Sequence, residues 1–148
     1  MKKFRFKLQA ALDYAEHREE VEGMELNTLL MEGHKLSRKQ SQTLKRLRQA
    51  EEELSRKKEI LPDEILLYDR FIASLRRLLE ELARRLAALE TKLASQREVL
   101  LEATQKRKTL DRLRQHQQDE YTARADRIFQ QESDDLYLLR LGRQQATH

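Results

Sequence analysis

The chain has no cysteine, one proline and three glycines in 148 residues. Without cysteine there is no disulfide, no thiolate metal site and no cysteine nucleophile, a usage compatible with a reducing compartment. So few glycines leave no Gly-rich loop to cradle a phosphate, and His17, His34, His116 and His148 lack ligand spacing such as H-E-x-x-H. Neither a metal nor a cofactor is expected. Long apolar runs are missing too. No stretch approaches the roughly 18 apolar residues of a membrane span, so no direct membrane insertion is expected. The opening Met1-Lys2-Lys3-Phe4-Arg5-Phe6-Lys7 has the charge of a signal-peptide n-region. However, Gln9, Asp13, Glu16 and Arg18 interrupt the apolar stretch that should follow. Nor is charge of one sign concentrated anywhere to the degree a phosphate-binding arm needs. Thirty basic residues are interleaved with 26 acidic ones, so the net charge of +4 points to no nucleic-acid partner. A basic zipper fails because the basic residues form no block ahead of the leucines.

What remains is dense mixed charge, 38% of the chain, and an apolar rhythm. The enrichment in Ala, Glu, Lys, Leu and Arg is that of long helices and coiled coils, and disordered chains lack sustained apolar periodicity. The rhythm is clearest where Tyr68, Ile72, Leu75, Leu79, Leu82, Leu86, Leu89 and Leu93 recur in steps of four and three. Arg76, Arg77, Glu80, Glu81, Arg84, Arg85, Glu90 and Lys92 lie between them. Steps averaging about 3.5 residues place one narrow stripe on a helix and require a partner helix. The stripe continues through Gln96, Leu100, Ala103, Arg107, Leu110, Arg114, Gln117, Tyr121, Arg124 and Ile128, and decays after Leu110.

A second stripe runs from Leu8 through Leu12, Ala15, Leu26, Leu29, Gly33, Leu36, Leu47, Ala50, Leu54 and Leu61. Glu19, Glu22, Gln40, Thr43 and Lys57 fall on it as polar positions, so this seam is weaker. Gly23 and Gly33 each cost about 1 kcal/mol in a helix interior relative to Ala, and Gly33 lies on the seam. Leu61-Pro62-Asp63-Glu64 separates the stripes: proline disfavours helix in the residue before it and suits the first helical position, with acids in the following turn. The expected fold is all-α, a long antiparallel two-helix coiled coil (an α-helical hairpin) with helix two the longer. It forms a single coiled-coil domain over residues 1–148: helix one about 4–61, a turn at about 62–63, helix two about 64–141 and a polar tail 142–148. This register sets Leu54 near Ile72, Leu47 near Leu79, Leu36 near Leu89, Leu26 near Leu100 and Ala15 near Leu110. At about 1.5 Å per residue, helix one spans about 85 Å and helix two about 110 Å, so helix two overshoots.

Such a hairpin has no evident pocket. The carboxylate pairs Glu19-Glu20, Glu80-Glu81 and Asp134-Asp135 therefore read as solvated faces, because catalytic pairs need an environment that separates their pKa values. Catalysis is not expected. Two apolar surpluses exceed what one seam requires. Leu67, Phe71 and Leu78 lie beside the Tyr68-Ile72-Leu75-Leu79 stripe near the turn, where they either thicken the core or form a docking patch. Phe4, Phe6, Phe129, Leu136, Leu138 and Leu139 suggest a second contact where the termini meet.

Three segments resemble the flagellar export protein family FliJ. Phe4-Arg5-Phe6-Lys7-Leu8-Gln9 with Leu12-Asp13 is similar to the family's F-x-F-x-L-Q-x-x-L-D start. Tyr68-Asp69-Arg70-Phe71-Ile72-Ala73-Ser74-Leu75 is similar to its Y-x-x-F-I-x-x-L, and Ser133-Asp134-Asp135-Leu136 is placed like its acidic C-terminal element. Ala11 and Ala15 depart from the Leu and Arg often found there. The resemblance implies a cytoplasmic, non-enzymatic component of the bacterial flagellar type III export apparatus, peripheral at its membrane base. It implies a stalk-like coiled coil that binds the hexameric export ATPase, couples it to the export gate membrane protein and escorts export chaperones. The gate would meet Leu67, Phe71, Leu75 and Leu78; the ATPase ring would meet the paired termini at Phe4, Phe6, Leu8, Phe129, Leu136 and Leu139. The stalk of a virulence type III secretion system and a generic coiled-coil scaffold remain alternatives.

Overall fold

In the computed structural model, which describes residues 2–146, the chain forms two α-helices, α1 (Gln9–Arg56) and α2 (Pro62–Ala146), and no strand among those residues. The helices pack antiparallel as the expected hairpin, α2 being the longer at 85 residues against 48. The chain divides into two compact units. One is Glu20–Glu102; the other joins the residues up to Glu19 to those from Ala103 onward.

Within Glu20–Glu102 the seam is the one the stripes describe. Leu47, Ala50, Ile72 and Leu75 are buried together, with Leu54 and Leu79 packed against them, so the expected Leu54–Ile72 and Leu47–Leu79 neighbours share one cluster. Leu82 is fully buried. Polar seam positions are covered as well as apolar ones, because the period of a helix and not the identity of a residue decides its face. Thr43 is buried and returns its hydroxyl to the Lys39 carbonyl at 2.7 Å. Gln96 donates its side-chain amide to the Glu22 carbonyl at 3.0 Å and to Glu22 Oε2 at 2.6 Å. Polar layers of this kind tie a coiled coil to one register, since sliding the helices strands both partners.

Gly33 sits where the two helices approach closely: a Cβ built there would lie 3.2 Å from Leu89 Cδ2. At Gly23 a Cβ would meet nothing within 4 Å. The two sites should therefore respond differently to alanine. Gly23→Ala gains the full helix-propensity difference of about 1 kcal/mol, which corresponds to about 2–4 °C in the melting midpoint. Gly33→Ala gains the same propensity but must displace the Leu89 methyl, so it stabilises less. Thermal melts followed by circular dichroism check the order; a larger gain at Gly33 would show that the seam there has room to spare.

The connection differs from the expected turn at 62–63. α1 stops at Arg56 and residues 57–61 form the loop. Leu61 precedes proline and leaves the helical region, while its carbonyl accepts the Ile65 amide at 3.1 Å. Pro62 thus stands at the first helical position, where its missing N–H is not needed, and Asp63 and Glu64 face the positive end of the helix dipole.

In the other unit, Leu12 is fully buried, with Ala15 and Ala103 in the same seam pattern. Arg107 Nε donates to Glu19 Oε2 at 2.5 Å, and this hydrogen bond holds the guanidinium above its ordinary pKa. Helix one does not begin at Phe4. Residues 2–6 are non-helical and α1 starts at Gln9, after a turn closed by the Gln9 amide on the Phe6 carbonyl at 3.1 Å. Lys3-Phe4-Arg5-Phe6-Lys7 alternates with a period of two, which in extended chain turns both phenylalanines to one side. At the far end α2 runs past Leu141 and Gly142 to Ala146. One helical glycine is tolerated among good helix formers, and Arg143 suits the last turn. The rest of the expected polar tail, residues 147 and 148, lies outside the described residues.

Candidate partner-binding surfaces

The first surface lies at the start of α2, in the unit Glu20–Glu102. Leu67 is 66% exposed and Phe71 is 49% exposed, whereas Leu75 is only 6% exposed and belongs to the seam. Leu78 is half-buried. Of the residues expected to meet the gate, Leu67, Phe71 and Leu78 thus offer surface, and Leu75 stands beneath them. Leu61, Ile65 and Leu66 are exposed near the turn as well, Leu61 because α1 ends before the seam position its spacing gave it; the sequence reading did not single out Ile65 or Leu66 as surface. The signal was there: Ile65-Leu66-Leu67 is a run of consecutive apolar residues, and a helix can turn only part of such a run inward.

Polar contacts join the helix ends near the turn. Lys57 Nζ lies 4.9 Å from the centre of the Tyr68 ring and 3.4 Å from Glu64 Oε2. Hydrogen bonding to Tyr68, followed by the charge of Glu64, holds the Lys57 ammonium above its ordinary pKa. The Tyr68 hydroxyl donates to Glu53 Oε2 at 3.4 Å, and Arg76 Nη2 meets Glu51 Oε1 at 3.1 Å. The Tyr68–Glu53 and Arg76–Glu51 contacts join the two helices and Lys57 ties the loop to α2, so the exposed side chains stand on an ordered element, which lowers the entropy lost when a partner binds.

The second surface lies in the unit formed by the two chain ends. Phe6 is buried. Phe4 is half-buried with its ring 5.7 Å from that of Tyr121, whose hydroxyl donates to the Lys2 carbonyl. Both phenylalanines therefore hold the N-terminal segment on α2 and present little surface, while Leu8 is exposed. From Asp126 to Ala146 every residue of α2 is exposed. Phe129 reaches 73%, and Leu136, Leu138 and Leu139 are open as well. Ile128 and Leu139 share the helix face of Tyr121 and the half-buried Ala125, so the seam face continues beyond the point where the chain itself covers it.

Nothing among the described residues resembles a reaction centre. Among the described residues no group of His, Asp and Glu is placed to hold a metal, and no buried side-chain polar atom lacks a partner. His116 lies 3.2 Å from Glu120 on an exposed helix turn; His148 is outside the described residues. No helix among the described residues is long and apolar enough to cross a membrane.

Comparison with known proteins gives one match. The family model described as Flagellar FliJ protein matches residues 4–146. No curated protein and no solved structure matches the chain.

Proposed function

The chain belongs to the flagellar FliJ family, a family tied to flagellar protein export, and we propose that it is a non-enzymatic coupling stalk of the export apparatus. In this role the unit carrying the chain ends binds the hexameric export ATPase, and the patch beside the interhelical turn binds the cytoplasmic part of the export gate. Export chaperones are escorted by the same protein, which works in the cytoplasm at the membrane base of the apparatus.

One observation carries the reading. The seam face of α2 continues past its own covering segment as an ordered helix whose Ile128, Phe129 and Leu139 are exposed. On that face Ile128 and Leu139 flank Glu132 and Asp135, and a helix that keeps such apolar side chains in water beyond its own cover is suited to bind a partner. The experiment is affinity capture of the tagged chain from motile cells. The export ATPase and the gate protein should be recovered together. Recovery of neither, with light scattering showing self-association of the purified chain, would replace the stalk by a generic scaffold. Recovery of a virulence-system ATPase would assign the chain to that machine instead.

A further inference from the structure

No Asp or Glu occurs between Glu32 and Glu51, although acids make up 26 of the 148 residues. That stretch carries Lys35, Arg38, Lys39, Lys45, Arg46 and Arg48. The hairpin does not compensate for the imbalance. Lys35, Arg38, Lys39 and Arg46 are all exposed and line one shallow groove on α1, with Gln42 between them and the half-buried Leu78 of α2 alongside. Their spacing keeps them on one helix flank over about 16 Å. None of the four has an ion-pair partner among the described residues, whereas Arg56, Lys57, Arg76, Arg84 and Arg85 each meet a carboxylate. Like charges three and four residues apart weaken a helix. The fold therefore gains nothing from this flank.

We propose that the α1 flank from Lys35 to Arg46, together with Leu78, docks an acidic amphipathic helix of a partner protein. The cations specify carboxylates at helical spacing, and Leu78 supplies an apolar contact. Leu67 and Phe71, at helical spacing from Leu78, extend that contact along α2. A nucleic acid would satisfy the cations but bring nothing apolar to Leu78, and the groove holds no aromatic ring on which a base could stack. The proposal goes beyond the stalk role. It shares Leu78 with the surface assigned to the gate, but it stands on charge and names the chemistry of the ligand, whichever protein carries it.

The test uses the full chain and a synthetic helical peptide of about 20 residues with a leucine stripe flanked by glutamates. Calorimetry at two salt concentrations compares the wild type with Arg38→Gln/Lys39→Gln/Arg46→Gln. A charge-matched control, Lys106→Gln/Lys108→Gln/Arg112→Gln, removes as many exposed cations elsewhere. The wild type and the control should bind alike and more weakly at high salt, and the flank variant about tenfold more weakly, as expected from losing three exposed ion pairs. A peptide with its leucines changed to alanine, and a single-stranded DNA of equal charge, should both bind more weakly than the parent peptide. Circular dichroism confirms that each variant stays helical; if the triple variant does not, Arg38→Glu alone should show the same direction of loss. The idea is overturned if the wild type ignores the peptide, if both triple variants lose affinity equally, or if the DNA binds as tightly. Because the peptide is synthetic, these outcomes are independent of whether the export gate binds the chain.

Discussion

Truncation after Asp134 should abolish stimulation of the hexameric export ATPase and leave the hairpin folded. The removed part of α2 carries Leu136, Leu138 and Leu139, all exposed, and contributes nothing to the buried set that includes Leu12, Ala15 and Ala103. Removing exposed residues away from a core generally changes stability by no more than about 0.5 kcal/mol, so the melting midpoint should hardly move. Binding should suffer far more. Exposed leucines gathered on one helix are candidate interface anchors, each worth about 2 kcal/mol when it fills a partner pocket. Losing several at once exceeds what an otherwise polar helix can recover. The measurement is steady-state ATP hydrolysis by the purified ATPase at saturating full-length or truncated chain. Stimulation should fall to the rate of the ATPase alone. Undiminished stimulation would move the contact to another surface and remove the argument from the extended α2.

The seam was legible because a step of four and three is a property of position. Glu22, Gln40 and Thr43 look like defects in the stripe on α1, yet they are covered in the structure like their apolar neighbours. Their compatibility could also have been read. The register that sets Ala15 against Leu110 places Glu19 beside Arg107, and that ion pair is present at 2.5 Å. The start of α1 escaped for a different reason. The stripe starts at Leu8, and extending the helix back to Phe4 overlooks that Lys3 to Lys7 alternates with a period of two. The stripe on α2 loses its rhythm over the same ground: Arg114 and Arg124 are exposed while Gln117, Tyr121 and Ala125 are half-buried. There α2 is met by a non-helical segment, which covers less of it than a helix would. The surfaces were legible only as surpluses. A seam residue and its neighbour on the flank differ by one position in sequence, and burial alone separates Ile72 from Phe71.

Phe71→Ala and Ile72→Ala, adjacent in sequence, should have opposite consequences. Ile72 is 7% exposed and belongs to the cluster with Leu47, Ala50 and Leu75. Its truncation leaves a cavity and should cost about 2 kcal/mol or more. Phe71 is 49% exposed, so its truncation forfeits only part of an aromatic's burial, about 1 kcal/mol or less, and regains some helix propensity as alanine. Circular dichroism melts should thus show a large shift for Ile72→Ala and a small one for Phe71→Ala. Calorimetry against the cytoplasmic domain of the export gate should reverse the order wherever the hairpin is still folded. An aromatic held on an ordered helix is a fitting hot spot, and its loss should weaken binding by about 2 kcal/mol, or roughly thirtyfold. Leu75 is a poorer probe: it is buried in the same cluster, so its removal would confuse unfolding with lost affinity. Should Phe71→Ala melt the hairpin as badly as Ile72→Ala, the ring is part of the core and the patch beside the turn is not a docking surface. Should it leave both stability and gate affinity unchanged, the gate is engaged elsewhere on the chain.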